Sequence, residues 1–281
     1  MNTISPVPFS LNLRARVIDL STPVVMGILN VTPDSFYDGG KYKNEKEILT
    51  QVEKMLLEGA LIIDVGGASS RPNAEEIAVR EELNRVLPVI RIIVKAFPEA
   101  NISIDTYRAK VAEEAIFAGA AIINDISGGA LDEKMFETVI KLNVPYILMH
   151  MVGNPSNMAQ NNHYNNLLSD IIDYFARKLE FLTEKGLKDV IIDPGFGFSK
   201  NIAQNFQLLK NLSYFNRLNR PVLAGVSRKS MIYKTLGISP EDALNGTSVL
   251  NTVALMNGAS VLRVHDVKEA VQAIKLLNKL K

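Results

Sequence analysis

The segment VIIDPGFGFSK, Val190–Lys200, carries the clearest structural signal in the sequence. A run of apolar β-branched residues leads into Asp193, and Pro194, Gly195 and Gly197 then interrupt the run. This pattern indicates a buried strand followed by a loop. In a parallel sheet that is covered on both faces, the last residue of a strand is the first that can present a polar group to a ligand. Asp193 is therefore a candidate binding residue, although the same letters also suit an ordinary strand-to-helix turn.

The same alternation of strand and helix recurs along the whole chain. Residues 1–23 form an irregular lead with a short strand near Ala15–Asp19, and no linker interrupts the remainder of the chain. The predicted strands are Val24–Leu29, Leu61–Val65, Ile102–Asp105, Ala121–Asp125, Tyr146–His150, Val190–Asp193, Val222–Val226 and Ser260–Val264. The predicted helices are Asn44–Glu58, Ile77–Ala96, Arg108–Phe117, Asp132–Leu142, Leu167–Lys185, Gln204–Asn216, one that breaks at Gly237–Pro240 and resumes to Met256, and Val267–Leu280.

This order of elements predicts an α/β fold in the form of a closed (β/α)8 TIM barrel, because each apolar strand is followed by a helix. With 281 residues, 47% of them apolar, the chain can bury one large core, and we expect a single domain over residues 1–281. The length would also suit two smaller domains. An open doubly wound sheet is the structural alternative.

A weak internal repeat favours the barrel. Glycine-alanine pairs stand between helix and strand at Gly59, Gly119 and Gly258, where glycine is expected to cap the helix. Since strand side chains alternate between faces, the first, third and fifth residues after each glycine are predicted to share one face. The predicted inward columns are Ala60, Ile62 and Asp64; Ala120, Ile122 and Asn124; and Ala259, Val261 and Arg263.

Composition narrows the function classes. The 31 Lys and Arg residues nearly balance the 30 Asp and Glu residues, which argues against a nucleic-acid or membrane-surface binder. The absence of cysteine excludes disulfides and thiolate metal sites. The three histidines, His150, His163 and His265, are too scattered for a zinc motif. No secretory signal or membrane-spanning run is recognisable, so a cytoplasmic location is expected.

Polar residues of several kinds follow the predicted strands. Because the strands of a parallel barrel end at one rim, these side chains are expected to meet there. Acids and an amide suit a flat ligand rich in donors and acceptors, and cations after the last two strands suit an anion, so a flat heterocycle bearing a phosphate group is the implied substrate. No Ser-His-Asp or Cys-His set indicates a covalent nucleophile. The converging residues are Asn30, Ser70, Arg71, Asp105, Asn124, Asp193, Ser227, Arg228, Lys229, Ser230, Arg263 and His265.

Seven motifs are spread from Met26 to the C-terminus. In order, they are MGILNVTPDSF at Met26–Phe36, SIDT at Ser103–Thr106, INDI at Ile123–Ile126, LMHM at Leu148–Met151, DPGFGF at Asp193–Phe198, SRKS at Ser227–Ser230 and RVHD at Arg263–Asp266. Together they resemble the dihydropteroate synthase family. The resemblance implies a transferase of folate biosynthesis that joins p-aminobenzoate to (7,8-dihydropterin-6-yl)methyl diphosphate, giving 7,8-dihydropteroate and diphosphate. It also implies Mg2+ as cofactor and a homodimer.

The resemblance divides the candidate residues into groups. It implies contacts to the pterin from Asp105, Asn124, Asp193 and Lys229. It implies a diphosphate and magnesium site at Asn30, Arg263 and His265, with Asn30 as the metal ligand. It implies an aminobenzoate site at Ser70, Arg71, Pro72 and Ser230, with Phe198 as an apolar wall. The catalytic set is then Asn30, Asp105, Lys229, Arg263 and His265, and the loops Val31–Gly40 and Ala68–Asn73 resemble two mobile loops that close over the site.

The chain departs from the family pattern at several positions. The usual GGESTRPG reads GGASSRPN here, with Ala68, Ser70 and Asn73, so aminobenzoate contacts should survive with altered packing. Ser199 stands where the family often has glycine, which is expected to stiffen the loop.

Two other function classes stay open. A corrinoid methyltransferase that uses methyltetrahydrofolate would not need the SRKS and RVHD motifs in this form, and a non-catalytic pterin-binding paralogue would lose the anion side. Single residues also have plainer alternatives. The segment Ser227–Ser230 could cap a helix. We expect His150 as a hydrogen-bonded wall residue, Asp266 as a helix cap, His163 as an exposed loop residue, and Asp64 and Asp125 as residues that orient their neighbours.

Overall fold

A short antiparallel hairpin precedes a parallel sheet in the computed structural model, which describes residues 9–14, 16–31, 41–68, 76–158 and 161–280. A 3-10 helix spans Leu212–Leu218. The elements are β1 Ser10–Leu13, β2 Arg16–Asp19, β3 Val24–Asn30, α1 Lys41–Glu58, β4 Ile62–Gly66, α2 Val79–Ala96, β5 Asn101–Asp105, α3 Ala109–Phe117, β6 Ile122–Asp125, α4 Met135–Leu142, β7 Tyr146–Met149, α5 Leu167–Glu184, β8 Val190–Asp193, α6 Ile202–Lys210, β9 Leu223–Ala224, α7 Ser230–Leu236, α8 Leu244–Met256, β10 Val261–Val264 and α9 Val267–Leu277.

The parallel sheet closes on itself. Its eight strands are hydrogen-bonded in the order β8, β7, β6, β5, β4, β3, β10, β9. The two ends of this row meet through a parallel bridge between Ile192 and Val222, where the Ile192 N–H donates to the Pro221 carbonyl at 2.9 Å. The predicted (β/α)8 barrel in a single domain is therefore confirmed, and the open sheet is excluded.

The hairpin and the residue after it fill the end of the barrel where the strands begin. Leu11, Leu13 and Leu20 pack against inward side chains of the strands, among them Ile62 and Val261. Each fully buried leucine contributes about 1.5–3 kcal/mol through the hydrophobic effect. A larger apolar layer lies between the strands and the helices. We call the opposite end of the barrel, where the strands end, the mouth, and polar side chains line it.

The predicted inward columns of the internal repeat are only partly confirmed. Ile62, Ile122 and Val261 lie in the inner cluster as predicted, and the polar residues that follow them face the mouth. Ala60, Ala120 and Ala259 lie in the outer layer instead, because the strands begin after them and the alternation does not extend to them. The glycines that precede these alanines have φ values of 102°, 112° and 94°, as expected for helix-ending glycines.

Several boundaries differ from the prediction. The lead contains β1, which was not predicted because only Leu11 and Leu13 alternate there. The helix expected at Gln204–Asn216 ends at Lys210, and the 3-10 helix replaces the rest. The break at Gly237–Pro240 is confirmed, since α7 ends at Leu236 with Gly237 at φ 68°. Within the described part of the chain, no helix combines the length and apolar content needed to cross a membrane.

A capping box fixes where the loop after β8 ends. The Asn201 side chain accepts from the Gln204 N–H at 2.9 Å, and the Gln204 side chain accepts from the Asn201 N–H at 2.8 Å. Such reciprocal bonds satisfy amides that a helix start leaves without partners. The segment Pro194–Lys200 is consequently held between β8 and α6.

Candidate active site

Arg263 stands at the centre of the barrel mouth between two acids. Its Nε donates to Asp64 Oδ2 at 2.7 Å and its Nη2 donates to Asp105 Oδ2 at 2.6 Å. The Asn124 amide donates to the same Asp64 oxygen at 3.0 Å. The structure thus brings the predicted residues Asp105, Asn124 and Arg263 together. Asp64 orients two of them, as the sequence suggested.

Gly66 allows two more groups of the mouth to approach each other. The strand register pairs Gly66 with Asn30 on one side and with Asp105 on the other. A Cβ atom on Gly66 would lie 3.6 Å from Asn30 Oδ1 and 3.6 Å from Asp105 Oδ2. The space between the Asn30 amide and the Asp105 carboxylate is therefore open because Gly66 has no side chain.

Asp193 and Lys229 face the same mouth from the other side. Asp193 Oδ1 accepts from the Gly195 N–H at 2.8 Å, while the Lys229 ammonium donates to the Phe196 carbonyl and lies 4.7 Å from the centre of the Phe198 ring. A Cβ on Gly225 would lie 3.8 Å from Lys229 Nζ and 3.9 Å from Arg263 Cβ. Lys229, beside Asp193, and Arg263, beside Asp105, are therefore neighbours in the mouth.

Burial and mutual attraction set the charges of this cluster. Burial raises the pKa of Asp193 and of Asp105, and the nearby cations Lys229 and Arg263 act against that rise. Burial lowers the pKa of Lys229 to about 8, against the attraction of Asp193. Burial also disfavours the charge on Arg263, but Asp64 and Asp105 outweigh it, so the pKa of Arg263 is raised. Such perturbed groups in a mouth are typical of functional sites.

An apolar wall adjoins the charged cluster. Met149, Met151, Met158 and Ile126 form a separate buried cluster, against which Phe198 and Tyr107 pack. Methionine is flexible and adapts to ring edges, so this wall suits a planar ligand. Of this wall, the sequence predicts only Phe198, because methionines in isolated short runs do not distinguish a ligand wall from ordinary core.

The residues around His265 form a second set of contacts. The His265 N–H donates to Ser227 Oγ at 3.2 Å, and the His265 side chain is exposed at the mouth. Arg228 binds both carboxylate oxygens of Asp266 at 2.9 and 2.8 Å and also the Pro240 carbonyl at 3.0 Å. Asp266 is the N-cap residue of α9, as predicted, but its carboxylate makes no cap hydrogen bond, because Arg228 holds both oxygens.

The alternative interpretation of Ser227–Ser230 as a helix cap is also not what the structure shows. Helix α7 begins at Ser230, which is half-buried, and its N-terminus has no side-chain cap bond. Ser227 and Arg228 instead connect the loop after β9 to the end of β10. His163 is exposed, as expected.

The remaining predicted residues divide into two groups. Asn30 ends β3 at the mouth and is exposed. Ser70, Arg71 and Pro72 lie outside the described residues, as do most positions of the loops Val31–Gly40 and Ala68–Asn73.

Lys200 was not predicted as a site residue from the sequence, whereas the prediction for His150 is confirmed. His150 is 3% exposed and its Nδ1 lies 3.1 Å from Lys200 Nζ, so it is a hydrogen-bonded wall residue. A lysine after a glycine-rich loop has the sequence signature of a surface residue. No sequence pattern distinguishes this buried lysine from an exposed one.

The fold and the mouth define a class of protein, a (β/α)8 barrel enzyme that binds its ligand where the strands end. The profile of the family described as pterin binding enzyme matches residues 26–265. The dihydropteroate synthase of Escherichia coli K12 is 43% identical over 266 residues, which cover 92% of this chain and 92% of the relative.

Solved structures agree with this similarity. The Yersinia pestis dihydropteroate synthase in a sulfonamide drug complex superposes with a TM-score of 0.89 at 42% identity, covering 97% of this chain and 99% of that one. The Xanthomonas albilineans dihydropteroate synthase with 4-aminobenzoic acid gives a TM-score of 0.89 at 36% identity, covering 98% of each chain. The chain belongs to the pterin-binding enzyme family, among the dihydropteroate synthases.

Proposed function

We propose that this enzyme condenses p-aminobenzoate with (7,8-dihydropterin-6-yl)methyl diphosphate to give 7,8-dihydropteroate and diphosphate, a transferase step of folate biosynthesis. The observation that carries the proposal is the contact between Arg263 and Asp105, with Asp193 and Lys229 at the same mouth. Acids for ring donors and cations for a leaving anion lie within one opening, and the reaction needs both.

The pterin ring is assigned to Asp193, Asp105, Asn124 and Lys229. A carboxylate can accept two parallel hydrogen bonds from the amino group and ring N–H of a pterin, and Asp193 has an oxygen beyond the one that Gly195 uses. The Asn124 amide and the Lys229 ammonium can serve the remaining edge atoms. Burial strengthens these bonds, because little water competes for the donors and acceptors.

The diphosphate is assigned to Arg263 and His265, with magnesium at Asn30. Among the described residues, no group of three or more His, Asp or Glu side chains could hold a metal ion, so a protein cage is not available there. Mg2+ suits this donor set, because it takes oxygen ligands, keeps several waters and shares substrate phosphates, so one amide oxygen suffices. Magnesium bound at Asn30 would supply charge neutralisation on the departing diphosphate.

The aryl amine is assigned to Ser230 and Phe198 at the mouth, together with Ser70, Arg71 and Pro72, which the motif resemblance implies. In the reaction, the bond from the pterin methylene carbon to the diphosphate oxygen breaks, a bond forms between that carbon and the amine nitrogen, and the nitrogen loses a proton. A neutral aryl amine needs no strong base. The residues of the mouth contribute by holding two rings in line and by stabilising the leaving anion.

The decisive measurement is diphosphate release by the full chain with and without aminobenzoate. We expect release to require the pterin diphosphate, aminobenzoate and Mg2+ together, and to stop when the metal is chelated. Release that is independent of aminobenzoate, or methyl transfer from methyltetrahydrofolate, would contradict the proposal. Binding of pterin without any release would indicate the non-catalytic paralogue.

Substitution of Gly66 tests the placement of the anion side. Gly66→Val is expected to lower kcat/KM at least tenfold, because its branched side chain would fill the space between Asn30 Oδ1 and Asp105 Oδ2. Gly66→Ala, whose Cβ makes only ordinary contacts, should have a smaller effect. Steady-state kinetics and thermal unfolding of both variants check this, and a fully active Gly66→Val enzyme would remove the assignment of that space to substrate.

The homodimer and the cytoplasmic location expected from the sequence also stand as proposals. Exposed apolar residues on α8 and α9, Val249, Met256 and Leu276, offer apolar area for a second copy. Light scattering of the purified protein and cell fractionation test the two statements separately.

A further inference from the structure

The loop after β8 is joined to the segment after β7 by a set of buried polar contacts. Lys200 Nζ lies 3.1 Å from His150 Nδ1 and donates to the carbonyls of Gly195 at 3.1 Å and Phe198 at 3.0 Å. Ser199 Oγ accepts from the Val152 N–H at 2.9 Å. The Tyr164 hydroxyl donates to the Ser199 carbonyl at 2.9 Å. We call the contacts that Ser199 and Lys200 make to His150, Val152 and Tyr164 the loop bridge.

Ser199 makes these contacts from an unfavourable backbone conformation. It is 1% exposed and has a φ of 47°, in the left-handed region that residues with a Cβ rarely adopt. Glycine would adopt this conformation without strain, but it could not accept the bond from Val152. Strained residues of this kind persist when the surrounding contacts hold them, and they concentrate at functional sites.

The burial of Lys200 also costs free energy. It is 8% exposed and its ammonium group is surrounded by carbonyl oxygens and an imidazole, while burial lowers its pKa to about 7. Burial also keeps the pKa of His150 well below its ordinary value, so Nδ1 is available as an acceptor. Two residues adjacent in sequence, a serine in a strained backbone conformation and a buried lysine, therefore hold the same loop in place.

The loop that they fasten carries two groups of the active site. The Phe196 carbonyl accepts from the Lys229 ammonium, and the Phe198 ring lies against both that ammonium and the methionine wall. Lys200 binds the Phe198 carbonyl directly, and Ser199 follows Phe198 in the chain. Movement of this end of the loop would displace the Phe198 ring from the methionine wall.

We propose that Ser199 and Lys200 are positioning residues that fix Phe198 and thereby tighten the binding of aminobenzoate, without touching either substrate. The inference rests on the proposed function, because Phe198 matters only if an aryl ring binds beside it. A purely structural role predicts a loss of stability and of all kinetic constants in parallel. A positioning role predicts a selective change in the KM for aminobenzoate.

Ser199→Gly and Ser199→Ala are the informative variants. Both remove the hydroxyl, and only the glycine relieves the backbone strain. We expect both to raise the KM for aminobenzoate about fivefold, the effect of one lost hydrogen bond, with kcat and the KM for the pterin diphosphate changed less than about twofold. Hydrogen exchange of the Val152 amide, measured by mass spectrometry or NMR, should become about tenfold faster in both variants.

Asn143→Gly is the matched control. Asn143 has a φ of 49°, is exposed and ends α4, so this change relieves the same kind of strain far from the loop. It should leave both KM values and the exchange of Val152 unchanged. An unchanged KM for aminobenzoate in the Ser199 variants, or an equal change in all constants with a falling Tm, would overturn the proposal.

Lys200→Met provides a second, stronger test. It keeps an apolar side chain in the buried site but removes the donor to Gly195 and Phe198, and we expect a rise in the KM for aminobenzoate of more than tenfold. A wild-type enzyme that shows no aminobenzoate-dependent release of diphosphate would refute the proposed function. Unchanged exchange at Val152 in Ser199→Gly would refute the loop bridge, so the two failures are distinguishable.

Discussion

Replacing Asp193 with asparagine is expected to weaken the binding of the pterin diphosphate by roughly 100- to 1000-fold, because each hydrogen bond to a charged partner contributes about 1.5–3 kcal/mol. The carboxylate offers acceptors alone, and one of its oxygens is already occupied by the Gly195 N–H. An asparagine amide would turn a donor toward the donors of the ring. The buried N–H groups of the ligand would then lack acceptors.

Calorimetric titration of the pterin diphosphate in the presence of Mg2+ measures this loss. Asp189→Asn is the matched control, because Asp189 precedes the same strand at the opposite end of the barrel, where it accepts from the Asn12 N–H at 3.2 Å. The control variant should bind the ligand as the wild type does. Near-normal affinity of Asp193→Asn would refute the assignment of the pterin to this acid.

Replacing Arg263 with glutamine is expected to reduce both activity and stability. The change removes the partner of Asp64, which is fully buried, and of Asp105, and breaking a buried ion pair costs about 3–5 kcal/mol. For a chain of this size, a loss of that kind lowers Tm by on the order of 10 °C. Loss of a group that stabilises developing charge typically lowers kcat about 100- to 1000-fold.

A double variant separates the two effects of Arg263. Arg263→Gln combined with Asp64→Asn removes one of the unpaired buried charges, so part of the lost Tm should return while the activity stays low. Differential scanning calorimetry and the diphosphate-release assay give the two readouts. If activity returned with stability, Arg263 would be a structural residue and not part of the anion site.

The barrel was predictable because a repeated local pattern specifies it. Apolar runs of four or five residues, each ending in a polar residue and followed by an amphipathic helix, leave few architectures that bury them all. Asp64, Asn124 and Arg263 occupied matching positions in three such repeats, and the structure joins them by direct hydrogen bonds. Their convergence followed from the common direction of the strands.

Other features required coordinates because they depend on contacts between distant parts of the chain. The burial of Lys200 results from acceptors on two different loops, and the pairing of Arg228 with Asp266 spans two strands. The hairpin was missed in part because a strand with two alternating leucines is too short to be recognised. The roles of Ser70, Arg71 and Pro72 stay predictions.

The leucines of the hairpin and its following residue, Leu11, Leu13 and Leu20, make the barrel a blind pocket in the part of the chain that is described. Asp193 and Asn124, which are 6% and 3% exposed, lie deep in this pocket, and the Phe198 ring is only half-buried. For the proposed reaction, depth would then determine the order of arrival, with the bicyclic ring entering first and the aryl amine second. An aryl amine that arrived early would obstruct its own co-substrate, and the joined product would have to depart before the next cycle begins.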